Sequence, residues 1–400
     1  MRRLGRILCT LSLLGLVLSG CWDRHELNDL AITVGVGFDK SGDEYLVTAQ
    51  IVNPNEVASK KGAGYSTPIT TLSATGISTL EAARKLTTSA PRKLFASHLR
   101  IIVIGEELAR EGVAKVLDGI TRDHEIRSDF YIIVARGTTA AKVLQILTPI
   151  ERIPANKMFK TLETSEKAWA PTVSVRIDQF ITKLSEPTTE SVLTGIRIEG
   201  DAKKGSSKSS LAETEPITNL QYTGLALFKE DKLVDWLNEE ESKGYNYIIG
   251  NVKSTMGHLR CPKGGTITVE IVRANSKIKG AVKNGKPEIN IHVMLEDNIS
   301  EVQCDIDLLD PDTILELEKI AANSLKKVMY DSIKKAKENK ADIFGFGEAI
   351  EDVAPKAWKK LEPDWPNEFA ELQVNISTDL HIRRLGTTNN SIIMRPEEER

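Results

Sequence analysis

Predominantly apolar residues form a run near the start of the chain, from residue 7 to residue 18. Arg2, Arg3 and Arg6 precede this run and small residues follow it, which is the three-part layout of a secretory signal. The run is shorter than the ~20 residues that a membrane-spanning helix needs. We therefore predict a cleaved signal peptide over residues 1–20, and because no later run reaches spanning length, we expect everything after it to be an ectodomain.

The residues at the end of the run are Leu18, Ser19, Gly20 and Cys21, which resemble the lipobox of bacterial lipoproteins. In such proteins the thiol receives a diacylglycerol and cleavage leaves the cysteine as the first residue, because only a thiolate is nucleophilic enough to become the thioether. We predict cleavage between Gly20 and Cys21 and lipid attachment to Cys21. The alternative is an ordinary signal peptide followed by a chance cysteine.

Alternating apolar positions predict a hairpin at the start of the ectodomain, with strands over residues 30–39 and 45–52 and a turn over residues 40–43. Ser78 and Glu81 fit a capping box, which predicts a helix from there to about residue 90. Strands over 101–104 and 130–134 then alternate with helices over 107–119 and 139–147. This alternation predicts an α+β fold in a multidomain ectodomain, with mixed, partly parallel sheets covered by helices.

Residues 200–216 are poor in apolar side chains and rich in serine, lysine and glycine, so they bury little surface to offset their ordering entropy. We interpret residues 200–217 as a flexible linker or a long exposed loop. It separates a predicted amino-terminal domain, residues 21–199, from a carboxy-terminal domain, residues 218–386. A further division of the second domain near residue 262 is the alternative organisation.

The second half is predicted to contain strands over residues 222–228, 265–272 and 288–295, followed by a long helix from just after Asp310 to about residue 339. The helix carries one apolar stripe, made of Ile314, Leu317, Ala321, Leu325, Val328 and Met329. Strict alternation over residues 372–382 predicts a closing strand of the antiparallel type with one wet face. Residues 387–400 are predicted to be a polar tail.

The composition excludes some functions but says little about the fold. The 400 residues are 40% hydrophobic and 27% charged with a formal net charge of −3, which gives no support to nucleic-acid binding. Cys9 leaves with the signal and Cys21 is assigned to lipid, so Cys261 and Cys304 remain. An exported compartment permits a bridge between them, but two cysteines are no disulfide framework, and we expect two buried free thiols.

The sequence offers little chemistry for catalysis. The six histidines include no pair at the spacing that places two metal ligands on one helix face, so we expect no metal, no cofactor and no enzymatic activity. Gly35 and Gly37 resemble part of a dinucleotide loop, but the third glycine is absent and close strand packing explains them better.

Two places are candidates for a partner interface. The densest group of ionisable side chains in the first domain runs from residue 122 to residue 127 and includes Arg122, Asp123 and Arg127. It either meets a partner or forms a solvated, mutually paired loop. His98, next to an apolar strand, is interpreted as a structural or interface residue rather than a base.

Several motifs are similar to those of the Ger(x)C group of spore-germination lipoproteins. They are CWDRHELNDLA at 21–31, KLFASH at 93–98, AREG at 109–112, Arg122-Asp123, ADIFGFG at 341–347, Pro355, Trp358-Lys359, Trp365 and IRRLG at 382–386. The resemblance covers nearly all of the chain after the signal. The ADIFGFG motif also has a structural explanation, as a helix cap and core plug after a lysine-rich helix end.

The resemblance implies a germinant-receptor C subunit, lipid-anchored on the outer face of the inner spore membrane, that is needed for receptor assembly and nutrient-triggered germination. Its implied partners are a multi-spanning transporter-like subunit and a second membrane subunit. The family implies an α+β fold and no enzymatic activity. The alternative function is a lipid-anchored solute-binding protein of a transporter, which would carry an aromatic-lined cleft between two lobes.

Overall fold

The computed structural model describes residue 3 and residues 29–58, 66–123, 126–262 and 264–384. Within them the strands form two mixed sheets, one of nine strands and one of four, with helices packed on both. The predicted α+β architecture is confirmed. Apart from residue 3, the predicted signal peptide lies outside the described residues, as do Gly20, Cys21 and the polar tail.

The larger sheet has a parallel centre with antiparallel strands at both sides. Its strands are β1 (Leu30–Ser41), β2 (Glu44–Val52), β3 (Ile69–Gly76), β4 (Lys93–Phe95), β5 (Ile101–Gly105), β6 (Tyr131–Ala135), β7 (Val192–Gly200), β8 (Thr218–Lys229) and β9 (Lys232–Leu237). They lie in the order β3-β2-β1-β5-β6-β7-β8-β9, and β4 pairs with β1 outside this path. Neighbours from β1 to β7 are parallel, as the alternation of strands and helices predicts.

The helices of this part pack on the larger sheet. They are α1 (Pro54–Ala58), α2 (Thr79–Lys85), α3 (Glu106–Glu111), α4 (Ala114–Thr121), α5 (Ala140–Gln145), α6 (Pro154–Ala168), α7 (Ile177–Ser185) and α8 (Ala202–Gly205). The predicted cap of α2 is present, because the Glu81 backbone N–H donates to Ser78 Oγ at 3.1 Å. A short 3-10 turn, Leu86–Thr88, continues α2.

The single helix predicted over residues 107–119 is wrong, because the chain breaks at Gly112 into α3 and α4. Gly112 has φ +137, a conformation that L side chains rarely adopt. The next two residues are held by the turn between β8 and β9: Val113 N–H donates to the Asp231 carbonyl at 2.9 Å, and Ala114 N–H to Asp231 Oδ2 at 3.0 Å. A tertiary tether thus overrides a continuous helical pattern.

The polar stretch over residues 200–217 lies between two strands of the larger sheet, as a long loop would. The division of the ectodomain into two domains at this stretch stays a prediction. The stretch joins β7 to β8, which are antiparallel neighbours, and it contains α8 and a 3-10 turn, Lys208–Ala212. Its order comes from local capping, since the Lys203 N–H donates to Asp201 Oδ1 at 2.9 Å. The sheet continues past the predicted boundary at residue 217, through β9 to Leu237.

The smaller sheet consists of β10 (Thr255–Arg260), β11 (Thr266–Lys283), β12 (Lys286–Val302) and β13 (Gln373–Arg384), in that order. Its helices are α9 (Glu239–Ile248), α10 (Pro311–Glu338), α11 (Phe346–Val353), α12 (Pro355–Leu361) and α13 (Trp365–Glu371), with a 3-10 turn, Glu362–Asp364, before α13. β13 pairs parallel to β12, so the predicted antiparallel pairing is wrong. Alternation of apolar and polar residues indicates that one face of a strand is buried. The direction of β13 relative to β12 depends on the helical crossover that joins them.

The predicted long helix is confirmed as α10, which begins after Asp310 and ends at Glu338. Its apolar stripe packs against the smaller sheet, and Leu317, Ala321, Leu325 and Met329 are buried. The core around them continues into the aromatic side chains of α11 to α13.

Cys261 and Cys304 form a disulfide, so the expectation of two free thiols is wrong. Their Cα atoms lie 6.5 Å apart. Cys261 directly follows β10 and Cys304 comes two residues after β12, and both strands pair with β11. Sheet topology therefore brings together two cysteines that are 43 residues apart in sequence.

Close packing explains the two glycines of β1. A Cβ atom on Gly35 would lie 3.0 Å from Leu144 Cδ2, and one on Gly37 would lie 3.0 Å from Ala140 Cβ. The absence of side chains thus lets α5 lie against the strand, as predicted. In the described part of the chain, no helix has both the length and the apolar character needed to cross a membrane.

Candidate functional site

His98 lies on the surface, in the connection between β4 and β5. Its ring meets Phe95 edge-on, with the ring centroids 5.9 Å apart. The adjacent Leu99 is buried in the core under the larger sheet. The histidine is therefore an exposed side chain on a well-anchored segment, and its role in an interface stays a prediction.

The two arginines of the cluster at residues 122–127 are paired with acids close to them in sequence. Arg122 forms a two-pronged ion pair with Asp118, Nε to Oδ2 at 2.8 Å and a guanidinium N–H to Oδ1 at 2.9 Å. Arg127 pairs with Asp129 at 3.2 Å. The two arginine side chains are 73% and 68% exposed, and their partners lie just outside residues 122–127. The use of this cluster as a partner interface stays a prediction. His124 and Glu125 lie outside the described residues.

The backbone of Asp123 continues the turn after α4. Its N–H donates to the Ile120 carbonyl at 3.2 Å, and its own carbonyl accepts from Ile126 at 3.3 Å. The neighbouring Arg122 guanidinium lowers the pKa of the Asp118 carboxyl through their hydrogen bond. An external anionic group that binds Arg122 would compete with Asp118 for the guanidinium.

The motif at residues 341–347 is organised by one buried carboxylate, Asp342, which is 3% exposed. Oδ1 accepts the backbone N–H groups of Phe344 and Phe346 at 3.1 and 3.2 Å, and Oδ2 accepts that of Gly347 at 2.8 Å. The indole N–H of Trp365 donates to Oδ2 at 3.2 Å. Burial raises the pKa of Asp342 to about 6, while these four donors act in the opposite direction.

Asp342 also connects the two sheets. Its carbonyl accepts the backbone N–H of Glu190, just before β7, at 2.7 Å. Gly347 lies so close to this segment that an added Cβ would be 2.8 Å from the Thr188 carbonyl oxygen. The predicted core role of the motif is thus observed. The predicted cap at the end of the lysine-rich helix is wrong, because α10 is capped by Asn339 and Lys340 takes the left-handed conformation there. The motif instead caps the start of α11 and fastens it to the entrance of the larger sheet.

An aromatic cluster fills the space behind Asp342. The rings of Phe344 and Phe346 stack with centroids 5.0 Å apart, and Trp358 meets Trp365 edge-on at 5.0 Å. Phe346 is fully buried, and Phe344 is also in the core. The rings of the motif therefore form part of the packed core and do not line a ligand site.

A second buried acid, Asp297, lies in a different setting, on the floor of a pocket of about 300 Å³. The pocket is enclosed by α9, α10 and the smaller sheet. Its walls include Lys243 and Tyr247 from α9, Leu325 from α10 and Leu259 from β10. We call this space the Asp297 pocket.

Asp297 is 1% exposed, and its Oδ1 atom has no hydrogen-bond partner among the described residues. Burial raises the pKa of its carboxyl to about 7, and the negative charge of Glu318 adds to this. Burial also raises the pKa of Tyr247, with Asp297 contributing. A buried carboxyl with such a shift, beside a cavity, is a candidate functional group.

The sequence prediction missed this site. The predicted strand stopped at residue 295, whereas β12 runs to Val302, and its buried face carries Ile289, Ile291, Val293, Leu295, Asp297 and Ile299. The sequence does contain a signal for it, because Asp297 continues an alternation of otherwise apolar residues. Among the described residues, including those around Asp297, no group of three His, Cys, Asp or Glu side chains is arranged to hold a metal ion.

Comparison with known proteins gives matches along nearly the whole chain. Residues 23–198 match the model described as "Spore germination protein N-terminal domain", and residues 223–386 match "Spore germination B3/ GerAC like, C-terminal". Spore germination protein KC of Bacillus subtilis (strain 168) is 35% identical over 96% of this chain and 97% of its own length. Spore germination protein A3 of the same organism is 26% identical, over 96% of this chain and 98% of its own length.

The fold has a counterpart among solved structures. The crystal structure of the GerBC protein matches with a TM-score of 0.57 and 23% sequence identity, over 90% of this chain and 99% of that chain. This likeness supports the fold and carries nothing further about the site.

Proposed function

The chain belongs to the GerAC-like family of spore germination proteins, and we propose that it is a non-catalytic subunit of a germinant receptor, needed for receptor assembly and nutrient-triggered germination. The observation that carries the proposal is the match to both family models, in order, over residues 23–198 and 223–386. The similarity to spore germination protein KC over 96% of the chain supports the same role. The described surfaces that contain His98 and Arg122 are candidate docking sites.

The proposal includes a lipid anchor on Cys21 at the outer face of the inner spore membrane. Its support is the sequence Leu18-Ser19-Gly20-Cys21 at the end of a short apolar run. Each buried methylene contributes about 0.8 kcal/mol to membrane binding, and more than one acyl chain is needed for stable anchoring. A diacylglycerol on Cys21 supplies two chains. The anchor would hold the ectodomain beside a multi-spanning subunit and a second membrane subunit.

Deletion of the gene tests the function directly. We expect spores without this protein to lose most of their response to at least one nutrient germinant, measured as the fall in optical density after nutrient addition. An unaltered response to every nutrient germinant would contradict the proposed function.

Complementation of the deletion tests the anchor. We expect Cys21→Ala to move the protein from the membrane to the soluble or released fraction and to leave germination impaired. Cys9→Ala is the matched control, because it removes a cysteine from the apolar run and leaves the lipobox intact. Membrane retention and acylation of the Cys21→Ala protein would refute the anchor while leaving the receptor role open.

A further inference from the structure

Asp297 occupies a position that the rest of β12 gives to aliphatic side chains. Its neighbours on the buried face, Leu295 and Ile299, are 3% and 4% exposed. A leucine there would continue the core, whereas a carboxyl must give up its hydration on burial. Because Oδ1 receives no hydrogen bond from the described residues, the fold does not compensate for that loss.

The charged neighbours of Asp297 do not neutralise it. Lys243 is the cation on the pocket wall, and its Nζ is paired with Glu239 and Glu240 at 3.2 and 3.3 Å and lies over the Trp169 ring. Glu318 bears the same charge as Asp297, and one of its oxygens accepts the Ile382 backbone N–H at 2.9 Å. The pocket therefore presents an acceptor without a counter-charge.

The two strands beside β12 are irregular at the level of Asp297. On β11 the register shifts between Ile271 and Arg273, which places Val272 as an extra residue opposite this point. On β13 the pairing shifts just after Asp297, next to Ile382. Bulges of this kind redirect side chains and are frequent beside functional sites. The strands on both sides of β12 are therefore irregular at the position where Asp297 lines the pocket.

We propose that the Asp297 pocket binds a small ligand with a protonated amine on a short apolar body, the ammonium donating to the Asp297 carboxylate. A charge-assisted hydrogen bond to a carboxylate is among the strongest available in proteins, and an ammonium supplies both the donor and the missing positive charge. The aliphatic body contacts Leu259, Leu295 and Leu325. A pocket of about 300 Å³ is at the small end of ligand sites, which limits the body to a few carbon atoms.

A metal ion fits the site less well than an amine. Calcium binds six or more oxygen ligands, and magnesium requires a nearly octahedral set of oxygen ligands. Most side chains around Asp297 are apolar, and the described residues contain no group of His, Cys, Asp or Glu side chains arranged to hold a metal ion. The same apolar side chains favour the apolar body of an organic amine.

Binding should release a proton below neutral pH. Burial raises the pKa of Asp297 to about 7, so the free pocket holds a largely neutral carboxyl at pH 6. A bound ammonium favours the ionised form, and the proton of the carboxyl passes to the buffer. The other titratable groups that line or border the pocket are Glu240, Lys243 and Tyr247 on α9, His258 on β10, Glu318 on α10 and His381 on β13.

Isothermal titration calorimetry of the full chain with n-butylammonium chloride tests the site, with 1-butanol and sodium butyrate as matched probes. We expect saturable binding of butylammonium, with binding about tenfold or more weaker for 1-butanol and for the Asp297→Asn protein. At pH 6 the measured heat should depend on the ionisation enthalpy of the buffer. Asp331→Asn, the same change at a half-buried position of α10 that pairs with Lys327 outside the pocket, should leave binding unchanged.

Three results would overturn the proposal: no saturable binding of butylammonium, equal binding of butylammonium and 1-butanol, or equal affinity in the Asp297→Asn protein. Asp297→Leu guards against a folding defect, because an aliphatic residue suits this face of β12. This variant should fold and fail to bind butylammonium, and retained binding would also refute the site. The test does not depend on the proposed receptor function.

Discussion

Two buried acids of the second half, Asp342 and Asp297, are 3% and 1% exposed and differ in their hydrogen bonds. Asp342 accepts four hydrogen bonds from its own motif and a nearby tryptophan. Asp297 has an oxygen without any partner among the described residues. Burial raises the pKa of both, to about 6 and about 7 respectively. Burial alone therefore does not identify a functional acid, whereas the count of donors separates an architectural acid from one left available.

The position of each acid supports the same distinction. Asp342 lies among packed aromatic rings and its backbone reaches Glu190 of the larger-sheet region. Asp297 faces a pocket, between strands whose pairing is irregular. The Asp342 carboxyl links parts of the molecule through hydrogen bonds. The Asp297 carboxyl lowers stability, because no hydrogen bond within the protein replaces its lost hydration.

Loss of the Asp342 carboxylate should have the largest effect. We expect Asp342→Leu to lower the free energy of unfolding by about 3 kcal/mol or more, because each buried donor left without an acceptor costs about 1–3 kcal/mol. Urea denaturation of the full chain followed by circular dichroism measures this. Asp352→Leu, at an exposed position of α11, is the control and should change stability by less than about 0.5 kcal/mol. A loss below about 1 kcal/mol for Asp342→Leu would show that the Asp342 carboxylate does not hold the motif together.

The pH dependence of the unfolding free energy should reveal the buried carboxyl of Asp297. The pKa of Asp297 is raised from 3.8 to about 7, so between about pH 4 and pH 7 the folded chain keeps a proton that the unfolded chain has released. The contribution of this group to stability is therefore fully present below about pH 4 and is lost as pH rises to about 7. Asp297→Asn should gain stability relative to the unchanged protein over this interval.

The measurement is a series of urea titrations of both proteins from pH 4 to pH 8. Asp331→Asn serves as the control for replacing a carboxyl by an amide, and its difference from the unchanged protein should not grow with pH. A constant difference between the Asp297→Asn and unchanged proteins across the whole interval would mean that the pKa of Asp297 is not raised by folding.

Sequence patterns predicted what depends on local periodicity. The hairpin of β1 and β2, the cap at Ser78 and the long helix α10 each follow from spacing within one segment. The resemblance to the Ger(x)C group added the family and the fold class, which the comparisons and the structure support.

What the sequence could not predict depends on contacts between distant segments. The break at Gly112 needs the Asp231 tether, the direction of β13 needs the helical crossover, and the disulfide needs β10 and β12 to flank β11. Asp297 is intermediate, because its place in an apolar alternation is visible in sequence. Its lack of a partner is visible only once α9 and α10 are in place.

The most direct test of the distinction between the two acids is the unfolding free energy of Asp297→Leu, measured beside Asp342→Leu. We expect Asp297→Leu to be more stable than the unchanged protein by about 1–3 kcal/mol, because it removes an uncompensated buried carboxyl from an aliphatic face. Asp342→Leu should be destabilised in the same experiment. A loss of stability in Asp297→Leu as large as that in Asp342→Leu would show that Asp297 is architectural too, and would contradict that distinction.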